Sequence, residues 1–270
     1  MIIKLRSLIA LSLALGGGFL AAQTPSRPTP RHAAEVPVPR KDANSMLAHQ
    51  QLVAKAKSGR IDLYFLGDSI TRRWGSTDPH YSAMLENWKK NFFGWNAANF
   101  GWGADSIQHM LWRIQNGELD GVNPKVVVIL AGTNNVGKET GGDAKVANII
   151  KGIGALIDTC HEKAPGAKIV LTGILPRNDS MAVLDEINRI NEGVAKFADG
   201  ENTFYLNIND QLADRDGRLF EGMTVDQLHL SVAGYEVWAR NLVPLLTKLL
   251  GPRATEDHAP APTGDPSAAR

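Results

Sequence analysis

Lys125–Leu130 reads KVVVIL, and after its lysine it offers no polar residue to either face of a strand. A strand exposed on one side alternates apolar with polar residues. An unbroken β-branched run therefore fits a parallel strand covered on both sides. Ile61–Leu66, Lys168–Leu175 and Thr203–Ile208 are similar runs, and Asn96–Phe100 is a shorter fifth candidate. Helical segments separate them. Asp143–Lys163, for example, sets Val146, Ile149, Ile150, Ile153, Leu156 and Ile157 on one face. Asn44–Lys57, Ser106–Asn116, Ser180–Phe197 and Ser231–Leu250 read the same way. This alternation predicts an α/β fold: a three-layer sandwich with a five-stranded parallel sheet between helices. Ligands of such sheets sit beyond the carboxyl ends of the strands, so chemistry is to be sought just after each one.

The ends of the 270-residue chain read differently. Residues 1–22 carry Lys4 and Arg6, then an apolar run from Leu8 to Leu15, then small residues at Ala21–Ala22. That is the pattern of an export signal, and its apolar run is short for a membrane span. The expected location is secreted or periplasmic, with no integral membrane segment after cleavage. Residues 23–40 hold Pro25, Pro28, Pro30, Pro37 and Pro39 and read as a Pro-rich extended linker. Residues 251–270, with Pro252, Pro260, Pro262 and Pro266 among small residues, read as a disordered tail. One domain is expected over 41–250, with no internal repeat. Lys+Arg 29 against Asp+Glu 28 gives no electrostatic footprint for nucleic acid. The single cysteine, Cys160, excludes an intrachain disulfide and reads as a buried free thiol. Nothing in the sequence speaks to oligomeric state.

Four strand or loop ends carry reactive residue types. Gly67-Asp68-Ser69 follows the first run: the serine is either a nucleophile on a tight turn or part of a helix cap. Asn99-Phe100-Gly101-Trp102-Gly103-Ala104-Asp105 is a glycine-bearing loop, or a plain turn capped by Asp105. Gly132-Thr133-Asn134-Asn135 offers an amide to an oxyanion, or an Asx turn. Asp226-Gln227-Leu228-His229 can orient an imidazole, or it is a cap beside a surface histidine. The seven histidines form no H-E-x-x-H, and no metal or cofactor is expected.

In this order the four blocks, with Leu111-Trp112-Arg113 and Asn116-Gly117-Glu118-Leu119, resemble the SGNH (GDSL-type) hydrolases. The branch they resemble is that of the platelet-activating-factor acetylhydrolase catalytic subunits. The resemblance covers about 60–250 and implies a flavodoxin-like sheet. It implies Ser69 as nucleophile, His229 as general base and Asp226 as its orienting carboxylate. It also implies an oxyanion hole from Ser69 N–H, Asn134 and a backbone N–H at Ala104, where the family usually has glycine; Gly103 is the other candidate. Asp68 and Asn135 are expected to brace turns. Trp102, beside the oxyanion loop, is either a substrate wall or core, and Trp74 either lines the mouth or packs inside. Arg72 and Arg73 read as surface. The expected activity is hydrolysis of short acyl, above all acetyl, esters through an acyl-enzyme. Carbohydrate O-acetyl esters are the preferred substrate. A phospholipid acetyl ester and acyl transfer by the same residues are the alternatives.

Overall fold

In the computed structural model, which describes residues 33–269, all five apolar runs are strands. They are β1 (Leu63–Gly67), β2 (Ala97–Gly101), β3 (Val126–Leu130), β4 (Lys168–Thr172) and β5 (Thr203–Leu206). All pair in parallel, in the order β2-β1-β3-β4-β5. The helices are α1 (Ala43–Ala56), α2 (Ser69–Trp74), α3 (Ser82–Phe92), α4 (Ile107–Arg113), α5 (Thr133–Val136), α6 (Gly142–Lys163), α7 (Leu184–Val194), α8 (Asn209–Leu212) and α9 (Val232–Leu250).

Both faces of the sheet are covered. Tyr64, Leu66, Val127 and Ile129 join a core that includes Leu52 of α1, Met110 of α4, Ile153 of α6 and Ile187 of α7. Their alternating neighbours Leu63, Phe65, Val126 and Val128 meet Trp88 of α3 and Trp238 of α9. This is why the strands show no polar face. Helix α3, which the sequence reading left out, has Met84, Trp88 and Phe92 at helical spacing on the second core.

Two expectations about the ends need correction. The export signal lies outside the described residues, but residues 33–40 of the linker are packed rather than free. Ala34 is fully buried, and its N–H donates to Asn148 Oδ1 on α6 at 2.9 Å. Val38 N–H bonds Gln108 O. The tail is not disordered over its described length. Ala254 N–H donates to Gly94 O, Arg60 N–H to His258 O, and Thr77 N–H to Thr263 O. Asp265 accepts from Asn44 Nδ2 at 2.9 Å and pairs with Arg72. The segment runs from the loop before β2 to the loop after α2, past β2, an edge strand of the sheet. Proline removes only its own N–H, and the intervening residues keep donors and acceptors that find partners in these loops.

Candidate functional site

In this strand order, chain direction across the sheet reverses between β1 and β3. Their carboxyl ends form the crevice where such sheets take ligands. Ser69 stands just past the end of β1, as the first residue of α2, and Asn134 stands just past β3, in α5. Asp68 caps α2 by accepting from Ile70 N–H at 2.9 Å. That cap bond makes it a brace of the turn, and burial pushes its carboxyl up to about 7. Trp74 anchors the other end of α2: it is fully buried, stacks on Tyr235 at 4.9 Å and donates to Asn87. It therefore lines no mouth. Tyr235 Oη also donates to Ile70 O at 2.5 Å. On the opposite flank Gly101 lets α2 lie against β2, since a Cβ there would meet Arg72 N at 2.4 Å.

Ser69 comes together with the Asp226–His229 block from 160 positions away in the chain. Ser69 Oγ lies 2.9 Å from His229 Nε2, and His229 Nδ1 lies 2.7 Å from Asp226 Oδ2. A carboxylate only accepts, so Nδ1 carries the proton. In the neutral ring Nε2 is then left to accept from Ser69. Asp226 Oδ1 accepts from His229 N–H at 2.7 Å and Leu228 N–H at 3.3 Å. Partial burial works against ionisation of Asp226, but these bonds, the imidazole and Arg73 hold it below the usual carboxylate range. Burial, then the Arg73 guanidinium, lower the His229 pKa, and Asp226 opposes them.

The donors expected for an oxyanion face the same end of the sheet. Ser69 N–H is the first of its helix and has no carbonyl one turn back within it. Trp102–Asp105 is a turn closed by Asp105 N–H to Trp102 O at 3.3 Å. Ala104 is its third residue, with φ +60°, where a type II turn calls for glycine. The alanine at the family's glycine position thus keeps the left-handed backbone. Gly103 falls outside that conformation, and its carbonyl accepts from Arg40 Nη1 at 3.0 Å. Ala104→Gly is expected to stabilise the fold by about 0.5–1 kcal/mol: left-handed alanine costs roughly 1–2, less what the freer unfolded glycine costs. Thermal melting checks this, and activity should stay within about tenfold.

Asn134 enters from a turn at Gly132, whose φ of +113° and contact with Ile174 exclude a side chain there. One Asn134 amide hydrogen goes to Asp105 O at 2.8 Å, and an amide has a second to give. Asn135 braces the turn by accepting from Ile107 N–H and donating to Gln108.

Asp105 is the node beneath both loops. The cap of α4 is Ser106, not Asp105 as the sequence suggested. Asp105 is fully buried, and its Oδ2 accepts from Arg113 Nε at 2.7 Å. Arg113 also pairs with buried Glu118, donates to Phe100 O at 3.0 Å, and shares Glu118 with His49. Burial raises the Asp105 carboxyl to about 6 against the pull of Arg113 and Arg40. The Trp-Arg and Asn-Gly-Glu blocks carried the family resemblance without a role. The structure gives them one: Arg113 and Glu118 hold the Trp102–Asp105 turn from behind.

Trp102 is 7% exposed, donates to Ser45 Oγ at 2.8 Å, and has the Arg72 guanidinium 4.9 Å from its ring centre. It packs inside and offers no stacking platform. Arg72 and Arg73 are not free surface cations either: Arg72 pairs with Asp78, and Arg73 with Asp226. Cys160 is buried, and burial pushes its thiol up to about 12, so it is no nucleophile.

The chain is similar to known proteins in sequence and in fold. The sequence profile described as the GDSL-like lipase/acylhydrolase family matches residues 65–237. Platelet-activating factor acetylhydrolase IB subunit alpha1 of Bos taurus is 34% identical over 227 residues, 83% of this chain and 92% of that one. Its Homo sapiens counterpart is 35% identical over 77% of this chain and 85% of its own. A GDSL-like lipase from Bacteroides thetaiotaomicron superposes with TM-score 0.60 at 18% identity, over 74% of this chain and 97% of that one.

Proposed function

The chain belongs to the GDSL-like lipase/acylhydrolase family and is a carboxylic ester hydrolase; on that premise we propose that it removes acetyl groups through Ser69, His229 and Asp226. The hydrogen-bonded chain from Ser69 Oγ through His229 to Asp226 carries this reading. His229 takes the serine proton as Oγ attacks the ester carbonyl, and Asp226 stabilises the imidazolium that forms. The oxyanion accepts from Ser69 N–H, Ala104 N–H and Asn134 Nδ2, each donor contributing about 3–4 kcal/mol to lowering the barrier. His229 returns the proton to the leaving alcohol oxygen, and an acyl-serine remains. Water then gives a proton to His229 as it attacks the acyl carbon. The acid leaves, and Ser69 recovers its proton.

The substrate class we propose is an O-acetylated carbohydrate met outside the cell. The export pattern of residues 1–22 and the near-neutral charge support it. A second reading, an acetylated phospholipid, rests on the name of the relatives and on apolar side chains. Met181, Phe220 and Val225, and Val232 at the start of α9, are exposed near Asp226 and His229 in sequence or through Asn178, which bonds Gln227 and Met181. Acetate release from acetylated xylo-oligosaccharide and from an acetylated ether phospholipid separates the two. The expected result is release from the oligosaccharide by the wild type and none by Ser69→Ala. Release from the phospholipid alone would establish the second reading. An added acceptor alcohol that captures the acetyl in place of water would mark a transferase.

A further inference from the structure

We propose that Arg73 is a positioning residue that holds the Asp226 carboxylate on His229 and ties the serine's helix to the histidine's loop. The inference rests on the reading of Ser69, His229 and Asp226 as the reacting set.

Asp226 is unusually open for a carboxylate that must keep one geometry: its side chain is 44% exposed. Its Oδ1 is fixed by the backbone of its own loop. Its Oδ2, the oxygen that holds the imidazole, gets no backbone donor from that loop among the described residues. Arg73 Nη1 donates to that oxygen at 3.3 Å. Arg73 is itself held: its side chain is 18% exposed and its guanidinium lies 5.2 Å from the Tyr81 ring centre. It sits four residues after Ser69, one turn along α2, so serine and arginine move as one body. The contact spans 153 positions in sequence and closes a loop of bonds: Ser69 to His229, His229 to Asp226, Asp226 to Arg73, and back along the helix. Such a closed circuit limits how far Oγ and Nε2 can drift apart, and small misplacements weigh heavily on rate.

The charge of Arg73 also acts on the base. The groups facing His229 are Asp226 from its own loop, Asp179 from the loop after β4, and Arg73 from α2. The two carboxylates favour the imidazolium, and Arg73 alone among the three opposes it. Tyr235 of α9 feels both Arg73 and Asp226, and buried Asp68 and Tyr81 lie within its reach as well. With Arg73 gone, the Oδ1 bonds keep the Asp226 charge near His229 while Oδ2 loses its anchor, so the imidazolium gains and the base form is lost at a higher pH.

The test is kcat and KM for p-nitrophenyl acetate across pH, on the full chain with Arg73→Leu, Arg73→Gln and Arg73→Lys. In Leu and Gln the acidic limb of kcat/KM should rise by about half a pH unit. Their kcat should fall about tenfold with KM little changed, and Lys should recover part of both. Gln removes the charge but keeps a polar end, so it carries the test if Leu does not fold. An unmoved limb with unchanged kcat overturns the proposal. So does a loss confined to KM for anionic esters, which would make Arg73 a substrate-binding group. If Ser69→Ala keeps activity, the reacting set itself is wrong; if Ser69→Ala is inert and the Arg73 limb is unmoved, only this inference fails.

Discussion

Asp226→Asn should lower kcat by about 10³- to 10⁴-fold while leaving the fold intact. The cause is the tautomer. Asp226 Oδ1 takes two backbone N–H groups, and an asparagine would give them its carbonyl oxygen. Its amide nitrogen would then face His229 Nδ1 across the 2.7 Å contact and donate to it. Nδ1 would lose its proton, Nε2 would carry one, and the nitrogen facing Ser69 Oγ could no longer accept. Arg73 would lose its carboxylate as well. Steady-state turnover and a thermal melt on one preparation check this, and a loss under tenfold would mean that another group orients His229.

Arg113→Leu is the second large effect, and it falls on stability. Arg113 is buried between two buried carboxylates, Asp105 and Glu118. Removing it leaves both without their main counter-charge, and breaking a buried pair this way costs about 3–5 kcal/mol. For a domain of this size the melting midpoint should drop by roughly 10 °C. Lysine should rescue little, since a point charge cannot bridge Asp105, Glu118 and the Phe100 carbonyl as the guanidinium fork does. What remains folded should turn over more slowly, because Asp105 ties Ala104 to Asn134. A midpoint within a degree or two of the wild type would show that the network does not hold the loop.

The sheet was legible because burial on both faces leaves its mark in each strand; Val126–Leu130 could hardly be read another way. The order of Ser69, Asn134, Asp226 and His229 was legible because each stands where a strand end or a turn into a helix has its own residue signals. What sequence could not give was packing. Trp74 and Trp102 carry the same side chain whether at a mouth or in a core, and only the arrival of Tyr235 and Ser45 decides between them. Arg73 read as surface because its partner, Asp226, is 153 positions away; Arg72 is held between Asp78, six residues on, and the distant Asp265 of the tail. The tail misled for a related reason: proline and small residues show no periodicity, yet their backbone bonds anchor them to the loops around β2. Ala104 was the reverse case. Its place in the glycine block was visible, and only its φ of +60° shows that the turn survives the substitution.

The central claim, that Ser69 attacks the ester, is tested most directly by trapping. A fluorophosphonate ester should add one phosphonyl group to the wild type, located at Ser69 by peptide mass, and abolish p-nitrophenyl acetate hydrolysis in proportion to labelling. Ser69→Ala, with an unchanged melt, should take no label and release no nitrophenol above the blank. Label on any other residue, or hydrolysis that survives in Ser69→Ala, would contradict the account.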